Sequence, residues 1–322
     1  SVIRSEIKDI RPNTEQDIFP IMGDLAFQVV AKSLFSAGDI RERMRKLQRI
    51  TMTNQQMLIK EMRQPYLKWW FHLSGAIKKH LDFSKEGQKI LDGVIQERVD
   101  SQEEKDDLLD MLLQARYEDG TAMSRQQLID EVMILFTAGF ETTANTLSFT
   151  LFLIAKHTEI QERLVQEVGQ IDFEGEDLMQ LMGKLSYTKQ CIEEAMRLYP
   201  PAYVIDRVSL GKDSIGGHTF KKNTVWLMSM YELHRHSDFW EDPSEFRPER
   251  FNVENKKDYS DYYFPFGAGP RMCVGNNFAM YEMMLTVALL VKTFKLSTSI
   301  EEVEINPLIS LKPASVPIKF TR

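Results

Sequence analysis

The chain has 322 residues, 43% of them hydrophobic and 27% charged, and its formal net charge is −7. This length allows a large buried core, and a negative charge without any basic block argues against a nucleic-acid-binding protein. With two cysteines, Cys191 and Cys273, the sequence offers no disulfide framework, which fits a reducing compartment.

The first half of the chain is predicted to be helical, because apolar residues recur there at helical spacing. Pro65 ends the second of these segments, since a proline disfavours helical backbone at the residue before it. The last segment, of about thirty residues, is long enough to cross a whole domain. The predicted helical segments are 17–35, 39–63, 66–101, 106–116 and 124–157.

The second half is predicted to combine helices with short strands rich in Val, Ile and Thr. The predicted order is helix 158–170, helix 187–199, short strands within 202–230, a loop-rich stretch 236–266, a helix over 276–290 and strand-like segments within 294–322. We therefore predict a single domain over residues 1–322 that is mainly α with minor β.

Residues 266–275 carry the most specific pattern of the chain, Phe-Gly-Ala-Gly-Pro-Arg-Met-Cys-Val-Gly. It places Cys273 in a glycine-rich loop where an apolar helix begins. The positive end of the helix dipole and the unpaired N–H groups of the first turn favour a thiolate there. Gly275 leaves space for a flat group beside the chain, and an anionic sulfur of this kind can ligate iron. The alternative is a buried, inert cysteine beside a turn.

A second pattern, Ala138-Gly139-Phe140-Glu141-Thr142-Thr143, lies in the middle of the long helix. A glycine followed by two β-branched residues is poor helix sequence, which often marks a functional position. A loosened turn at Gly139 would make room for bound dioxygen, with the Thr142 hydroxyl as hydrogen-bond donor and Glu141 supplying protons. The alternative is a packing glycine followed by solvent-facing threonines.

A third pattern pairs Glu194 with Arg197, three residues apart on one helical face. On a surface such a pair contributes little to stability. Buried, it would have to be fully hydrogen-bonded. A later segment, Phe-Arg-Pro-Glu-Arg-Phe, contains Arg250.

These patterns, in this order and spacing, resemble the signatures of the cytochrome P450 family over essentially the whole chain. The resemblance implies a P450 fold and a haem b cofactor with Cys273 as the axial iron ligand. It implies that Arg207 and Arg271 bind the haem propionates and that Phe266, Gly139 and Gly275 also border the haem. Glu194, Arg197 and Arg250 would be structural.

The resemblance also implies a substrate pocket and a reaction. Ile134 and Ala138 on the long helix, with Val204 and Ile205 on the following strand, would line the pocket for an apolar or amphipathic small molecule. Thr142 and Glu141 would serve catalysis. The expected reaction inserts one oxygen atom from O2 into a C–H bond, as hydroxylation or oxidative O-demethylation. A separate ferredoxin or flavoprotein would supply the electrons.

Two other functions are compatible with haem binding. A peroxide-driven peroxygenase would not need Glu141 and Thr142 together, and a non-catalytic haem protein would not need an intact set of Glu141, Thr142 and Cys273. Turnover with peroxide that is insensitive to loss of Thr142 would favour the first. Absence of any ligand-induced spin shift would favour the second.

The part of the family pattern that usually precedes Ser1 is absent, so the chain is expected to be a truncated P450 domain. The most apolar run, 147–155, is too short to cross a bilayer, and we expect no membrane-spanning segment in this chain. The chain has no long insertions relative to the family pattern, which favours a soluble bacterial protein, so a cytoplasmic location is expected.

Overall fold

A computed structural model describes residues 2–8, 10–36 and 40–322. About 60% of the chain is helical and the sheets are small and antiparallel, which confirms the predicted fold class. The predicted helices are present, with boundaries that differ from the expected ones by at most three residues. The expected start of one helix at Asp39 lies outside the described residues.

The helices are α1 (Val2–Ile7), α2 (Ile18–Phe35), α3 (Arg41–Arg63), α4 (Lys68–Leu73), α5 (Ala76–Ser101), α6 (Leu108–Gln114), α7 (Arg125–Lys156), α8 (Thr158–Gly169), α9 (Leu178–Lys184), α10 (Ser186–Leu198), α11 (Met230–Leu233), α12 (Lys256–Tyr259) and α13 (Asn276–Thr293). The sequence analysis did not predict α9. It begins with a capping box in which the Asp177 carboxylate accepts from the Gln180 N–H and the Gln180 side chain bonds back to the Asp177 N–H.

The strands are β1 (Glu15–Asp17), β2 (Val204–Val208), β3 (Asp213–Ile215), β4 (His218–Phe220), β5 (Val225–Ser229), β6 (Lys295–Ser297), β7 (Ile305–Pro307), β8 (Leu311–Pro313) and β9 (Pro317–Thr321). One sheet has the order β1-β9-β6, and the remaining pairs are β2-β5, β3-β4 and β7-β8. In the β2-β5 pair Arg207 lies opposite Trp226.

The described chain divides into two compact units. The large unit contains Ile3–Met22 and Thr142–Arg322, and the small unit contains Gly23–Glu141. The single domain predicted from the sequence stays a prediction.

In the large unit, α8, α10 and α13 pack against one another. α8 buries Ile160, Leu164 and Val168, which are spaced by four and therefore lie on one face. Each such apolar side chain contributes about 1.5–3 kcal/mol when fully buried. Most of α10 is buried, which places Glu194 and Arg197 inside the protein.

In the small unit, α3 packs along α5, where Gly87 faces α3: a Cβ there would lie 3.1 Å from Leu47 Cδ1. A buried ion-pair cluster around Arg98 lies at the C-terminal end of α5. Arg98 Nη2 donates to Asp107 Oδ2 at 2.7 Å and to the Phe35 carbonyl at 2.7 Å, and Arg98 also pairs with Asp110. The cluster ties the end of α2 to the loop before α6, because Arg98 binds the Phe35 carbonyl and the Asp107 carboxylate at the same time.

Among the described residues, α2 is the one helix whose length and composition would allow it to cross a membrane. Half of it is buried in the protein, and core helices of globular proteins satisfy the same criteria. From the sequence, only the shorter run 147–155 was assessed as a membrane span, and α2 was not singled out. It is weak support for a membrane span.

Candidate functional site

The cysteine loop, residues 264–275, is shaped by two glycines and a ladder of short-range hydrogen bonds. Gly267 and Gly269 adopt φ values of +73° and +72°, a left-handed conformation that other residues resist. The Gly267 N–H donates to the Phe264 carbonyl at 3.1 Å, and the Cys273 N–H donates to the Phe266 carbonyl at 2.9 Å. The loop therefore folds back on itself just before α13.

Cys273 is exposed, two residues before Gly275, which occupies the N-cap position of α13. The neighbouring Met272 and Val274 side chains are 52% and 87% exposed. A Cβ added to Gly275 would find no atom within 4 Å. The loop thus presents a thiol, apolar side chains and open space beside the N-terminus of α13.

Cys191, the other cysteine, has the opposite environment. It is fully buried in α10, and burial, with added repulsion from the Glu167 and Glu249 carboxylates, raises the pKa of its thiol well above the usual range. Cys191 is therefore an inert core residue, and Cys273 is the accessible thiol of this chain.

Glu194, Arg197 and Arg250 form a buried cluster that we call the charged layer. Arg197 Nε and Nη2 donate to the two carboxylate oxygens of Glu194 at 2.7 and 2.8 Å, and both side chains are completely buried. Arg250 Nε donates to Glu194 Oε1 at 3.2 Å. The structure thus brings together the three residues that the sequence analysis grouped as structural.

The remaining donors of Arg197 bind backbone carbonyls from the loop-rich part of the chain. Nη1 donates to the carbonyls of His234 and Pro243 at 2.9 and 2.8 Å, and Nη2 donates to that of Glu245 at 3.0 Å. The guanidinium also lies 5.0 Å from the ring centroid of Trp240. One buried arginine therefore fixes the course of residues 234–245.

His234 has a defined polar role. It is fully buried, and its Nε2 accepts the backbone N–H of Phe264 at 3.0 Å. Burial, reinforced by the Arg197 and Arg235 cations, lowers the pKa of His234 to about 3. The ring is therefore neutral, with its proton on Nδ1.

The middle of α7 is regular. The helix is α-helical throughout Arg125–Lys156, so the loosened turn expected at Gly139 is not present. A Cβ at Gly139 would lie 3.0 Å from Val30 Cγ2 on α2, which explains the glycine by close packing. Thr142 and Glu141 are both half-buried. The Thr142 carbonyl accepts the Thr146 hydroxyl at 3.0 Å, a local bond that helices tolerate.

The other residues that were predicted to contact the haem or the substrate are mostly exposed or half-buried in their own unit. In the large unit Val204, Arg207 and Arg271 are exposed and Ile205 is half-buried. Arg207 Nη1 donates to the carbonyl of Asp206 at 2.7 Å, and Arg271 closes the short 3₁₀ turn Gly269–Arg271.

In the small unit Ile134 and Ala138 are exposed on α7, and Gly139 and Glu141 are half-buried. α7 runs from this unit into the second segment of the large one, which starts at Thr142. The pocket and catalytic roles assigned to these residues stay predictions.

A cytochrome P450 family model matches residues 2–320 of the chain. Among curated proteins, the chain is 35% identical over 179 residues to cytochrome P450 3A14 of Cavia porcellus, which is 55% of this chain and 36% of that protein. It is 37% identical over 187 residues to cytochrome P450 6l1 of Blattella germanica, again 55% of this chain and 36% of that protein. It is 36% identical over 204 residues to leukotriene-B4 omega-hydroxylase 3 of Mus musculus, 61% of this chain and 38% of that protein.

The matched part of the chain spans little more than a third of the length of these curated relatives. Among solved structures, a cytochrome P450DA mutant heme domain aligns with a TM-score of 0.87 at 23% identity, over 100% of this chain and 72% of that one. The cytochrome P450 CYP102L1 aligns with a TM-score of 0.85 at 22% identity, over 99% and 76%. At these identities the structures establish the fold alone. The family model and the fold together, with the cysteine loop and the charged layer in place, show that the chain belongs to the cytochrome P450 family.

Proposed function

We propose that this chain is the haem-binding part of a haem-thiolate monooxygenase. It would insert one oxygen atom from O2 into a C–H bond of a small-molecule substrate, by hydroxylation or oxidative O-demethylation. A ferredoxin or a flavoprotein would donate the electrons. The observation that carries the proposal is the exposed thiol of Cys273. It lies just before α13, in a glycine-containing loop whose backbone groups hydrogen-bond to one another.

The P450 family implies a haem cofactor, and the residues of the large unit fit one. The Cys273 thiol is accessible, Gly275 leaves room for a flat ring, and Met272 and Val274 offer apolar surface beside it. The exposed guanidinium groups of Arg207 and Arg271 have the charge and geometry that carboxylates prefer. We propose haem b, with Cys273 as its axial ligand and Phe266 and Gly139 also beside it.

When bound, haem b supplies the activation of O2, and a thiolate ligand directs electron density toward cleavage of the O–O bond. The protein supplies ligation, proton delivery and orientation of the substrate. Cys273 lies two residues before the N-cap of α13, and the positive end of a helix dipole favours negative charge nearby. In the proposal the Thr142 hydroxyl holds a proton by hydrogen bonding, and Glu141, its neighbour in α7, exchanges protons with solvent. Val204, Ile205, Ile134 and Ala138 would contact the substrate and exclude water from it.

The proposal is tested by the absorption spectrum of the reduced, CO-bound protein. A strongly red-shifted Soret band is expected, and it should disappear in Cys273→Ser because a serine hydroxyl does not replace the thiolate. Cys191→Ser is the matched control, since it removes the other thiol, and it should leave the band in place. A red-shifted band that survives Cys273→Ser would overturn the assignment of the axial ligand.

Thr142→Ala tests whether the reaction depends on O2. General acid and base groups typically contribute about 10²–10⁴-fold to a rate, so O2-driven product formation should fall by at least about 10²-fold. The substrate would be a compound chosen by its spin-state shift, and the electrons would come from a surrogate reductase. Oxygen uptake should continue and release hydrogen peroxide. Peroxide-driven turnover that is equal in wild type and variant, with no O2-driven activity in either, would instead identify a peroxygenase.

A further inference from the structure

The charged layer and the cysteine loop are joined by one side chain. Arg197 Nη1 donates to the backbone carbonyl of His234 at 2.9 Å, and the ring Nε2 of His234 accepts the Phe264 N–H at 3.0 Å. The Phe264 carbonyl in turn accepts the Gly267 N–H at 3.1 Å. A continuous series of hydrogen bonds therefore leads from a fully buried arginine to the first left-handed glycine of the loop.

This connection fixes the residue from which the loop starts. The peptide units of Phe264 are held at both polar ends, through the N–H by His234 and through the carbonyl by Gly267. Gly267 follows Phe266, whose carbonyl receives the Cys273 N–H at 2.9 Å. A displacement at Phe264 would therefore be passed to Phe266 and from there to the backbone of Cys273.

The histidine ring is suited to this task because only its neutral form can accept the bond. The low pKa of His234, caused by burial and the nearby Arg197 and Arg235 cations, keeps Nε2 an acceptor throughout the neutral range. A protonated ring would place an N–H donor against the N–H of Phe264 and lose the bond. The aromatic ring of Tyr263, at 5.1 Å between centroids, packs against the imidazole and limits its rotation.

We propose that His234 is a positioning residue for the haem-ligating cysteine, acting through the hydrogen bond from the Phe264 backbone to its Nε2. The proposal rests on the proposed function in one respect, the assignment of Cys273 as the haem ligand. The placement of the loop itself can be measured independently of that assignment.

The experiment compares His234→Gln with His234→Met by backbone amide hydrogen exchange over residues 264–273. Gln carries a carbonyl oxygen close to the position of Nε2 and can keep the bond, whereas Met has similar size and no acceptor that would replace it. A buried N–H without a partner is costly, so exchange in the loop should rise about tenfold or more in His234→Met and by much less in His234→Gln. Exchange in α8 should be unchanged in both variants.

Tyr263→Phe is the matched control. It removes another part-buried hydrogen bond of the same neighbourhood, from the Tyr263 hydroxyl to the Glu193 carbonyl at 2.7 Å, but it leaves the Phe264 N–H paired. If it raises loop exchange as much as His234→Met does, the effect is general loosening and the proposal is wrong. His234→Asn, whose amide is too short to reach Phe264, replaces His234→Met if the latter does not fold, and carries the same expectation.

The reduced, CO-bound spectrum then links loop position to haem ligation. We expect His234→Met to convert a large part of the red-shifted band into a band at the position typical of lost thiolate ligation, and His234→Gln to restore most of it. Normal spectra in both variants, with loop exchange also unchanged in His234→Met, would overturn the proposal. A failure of the proposed function has a different signature, because wild type itself would then lack the red-shifted band while the exchange difference between the variants persisted.

Discussion

The charged layer and the cysteine loop contrast in how they are held. In the charged layer, Arg197 is completely buried and its donors are bound by Glu194 and by three backbone carbonyls. The cysteine loop is exposed and depends on two left-handed glycines and a few backbone hydrogen bonds. The first region achieves rigidity by pairing its charges in the protein interior, whereas the second leaves the Cys273 thiol accessible.

The cysteine loop depends on the charged layer for its position. A loop with little buried surface has little stability of its own and takes its position from what it is attached to. Through His234 it is attached to a group that cannot move without leaving a buried charge unpaired. The contrast therefore predicts large stability effects in the charged layer and smaller, more functional effects in the loop.

Glu194→Gln should have the largest effect on stability. The amide NH2 group would place a donor against a donor of Arg197, and the buried guanidinium would lose its counter-charge. The free energy of unfolding should therefore fall by about 3–5 kcal/mol. Urea denaturation measures it. Glu249→Gln is the control: Glu249 pairs with Arg163, both side chains are 51% exposed, and loss of such a pair costs about 1 kcal/mol or less. Equal losses in the two variants would contradict the contrast.

The connection through His234 predicts a pH dependence of stability. In the unfolded chain this histidine has its ordinary pKa of 6.5, whereas in the folded protein the pKa is about 3, because of burial and then the Arg197 and Arg235 cations. Between these values the unfolded chain binds the extra proton. The stability contribution is therefore fully present above pH 6.5 and is lost as the pH falls toward 3.

His234→Gln isolates this contribution, because it keeps the acceptor and removes the titration. Between about pH 6 and pH 4 the wild type should lose about 1.4 kcal/mol more per pH unit than the variant. Denaturation curves at several pH values give both slopes. Parallel slopes would show that His234 titrates normally in the folded protein.

Gly267→Ala should have a smaller effect, located in the loop. At φ +73° an alanine Cβ would meet nothing closer than 3.9 Å, so the cost is that of the left-handed backbone alone, about 1–2 kcal/mol. Differential scanning calorimetry measures this loss as a lower Tm. Gly211→Ala, at a position with open space and no left-handed backbone, should leave the Tm unchanged. An unchanged Tm in Gly267→Ala would mean that the turn can form in another way.

The sequence predicted those features that depend on local residue types. The glycine spacing of the cysteine loop, the Glu194–Arg197 pairing at three residues and the helix boundaries all follow from short-range rules. Arg250 was assigned to the same network through the family resemblance, and the structure places it there.

Features that depend on backbone groups from distant segments could not be predicted. The carbonyls that accept from Arg197 belong to His234, Pro243 and Glu245, and a carbonyl leaves no mark in a sequence. The acceptor role of His234 was missed for the same reason, since its partner is the N–H of Phe264. Gly139 was interpreted as a functional position, and its close packing against Val30 on another helix has no signal in the local sequence.

Gly275→Ala should have the smallest effect on stability and separates fold from function most clearly. Its φ is −90° and an added Cβ would have open space, so the cost to the protein is limited to a poorer N-cap, about 1 kcal/mol or less. If a flat group lies against this residue, the methyl group should weaken haem retention while the unfolding free energy of the haem-free protein stays nearly constant. Haem transfer to apomyoglobin measures retention, with Gly211→Ala as the control. Unchanged haem transfer together with an intact red-shifted CO band would show that the face of the loop at Gly275 does not lie against the haem, and Cys273 would then have to present its sulfur from another side of the loop.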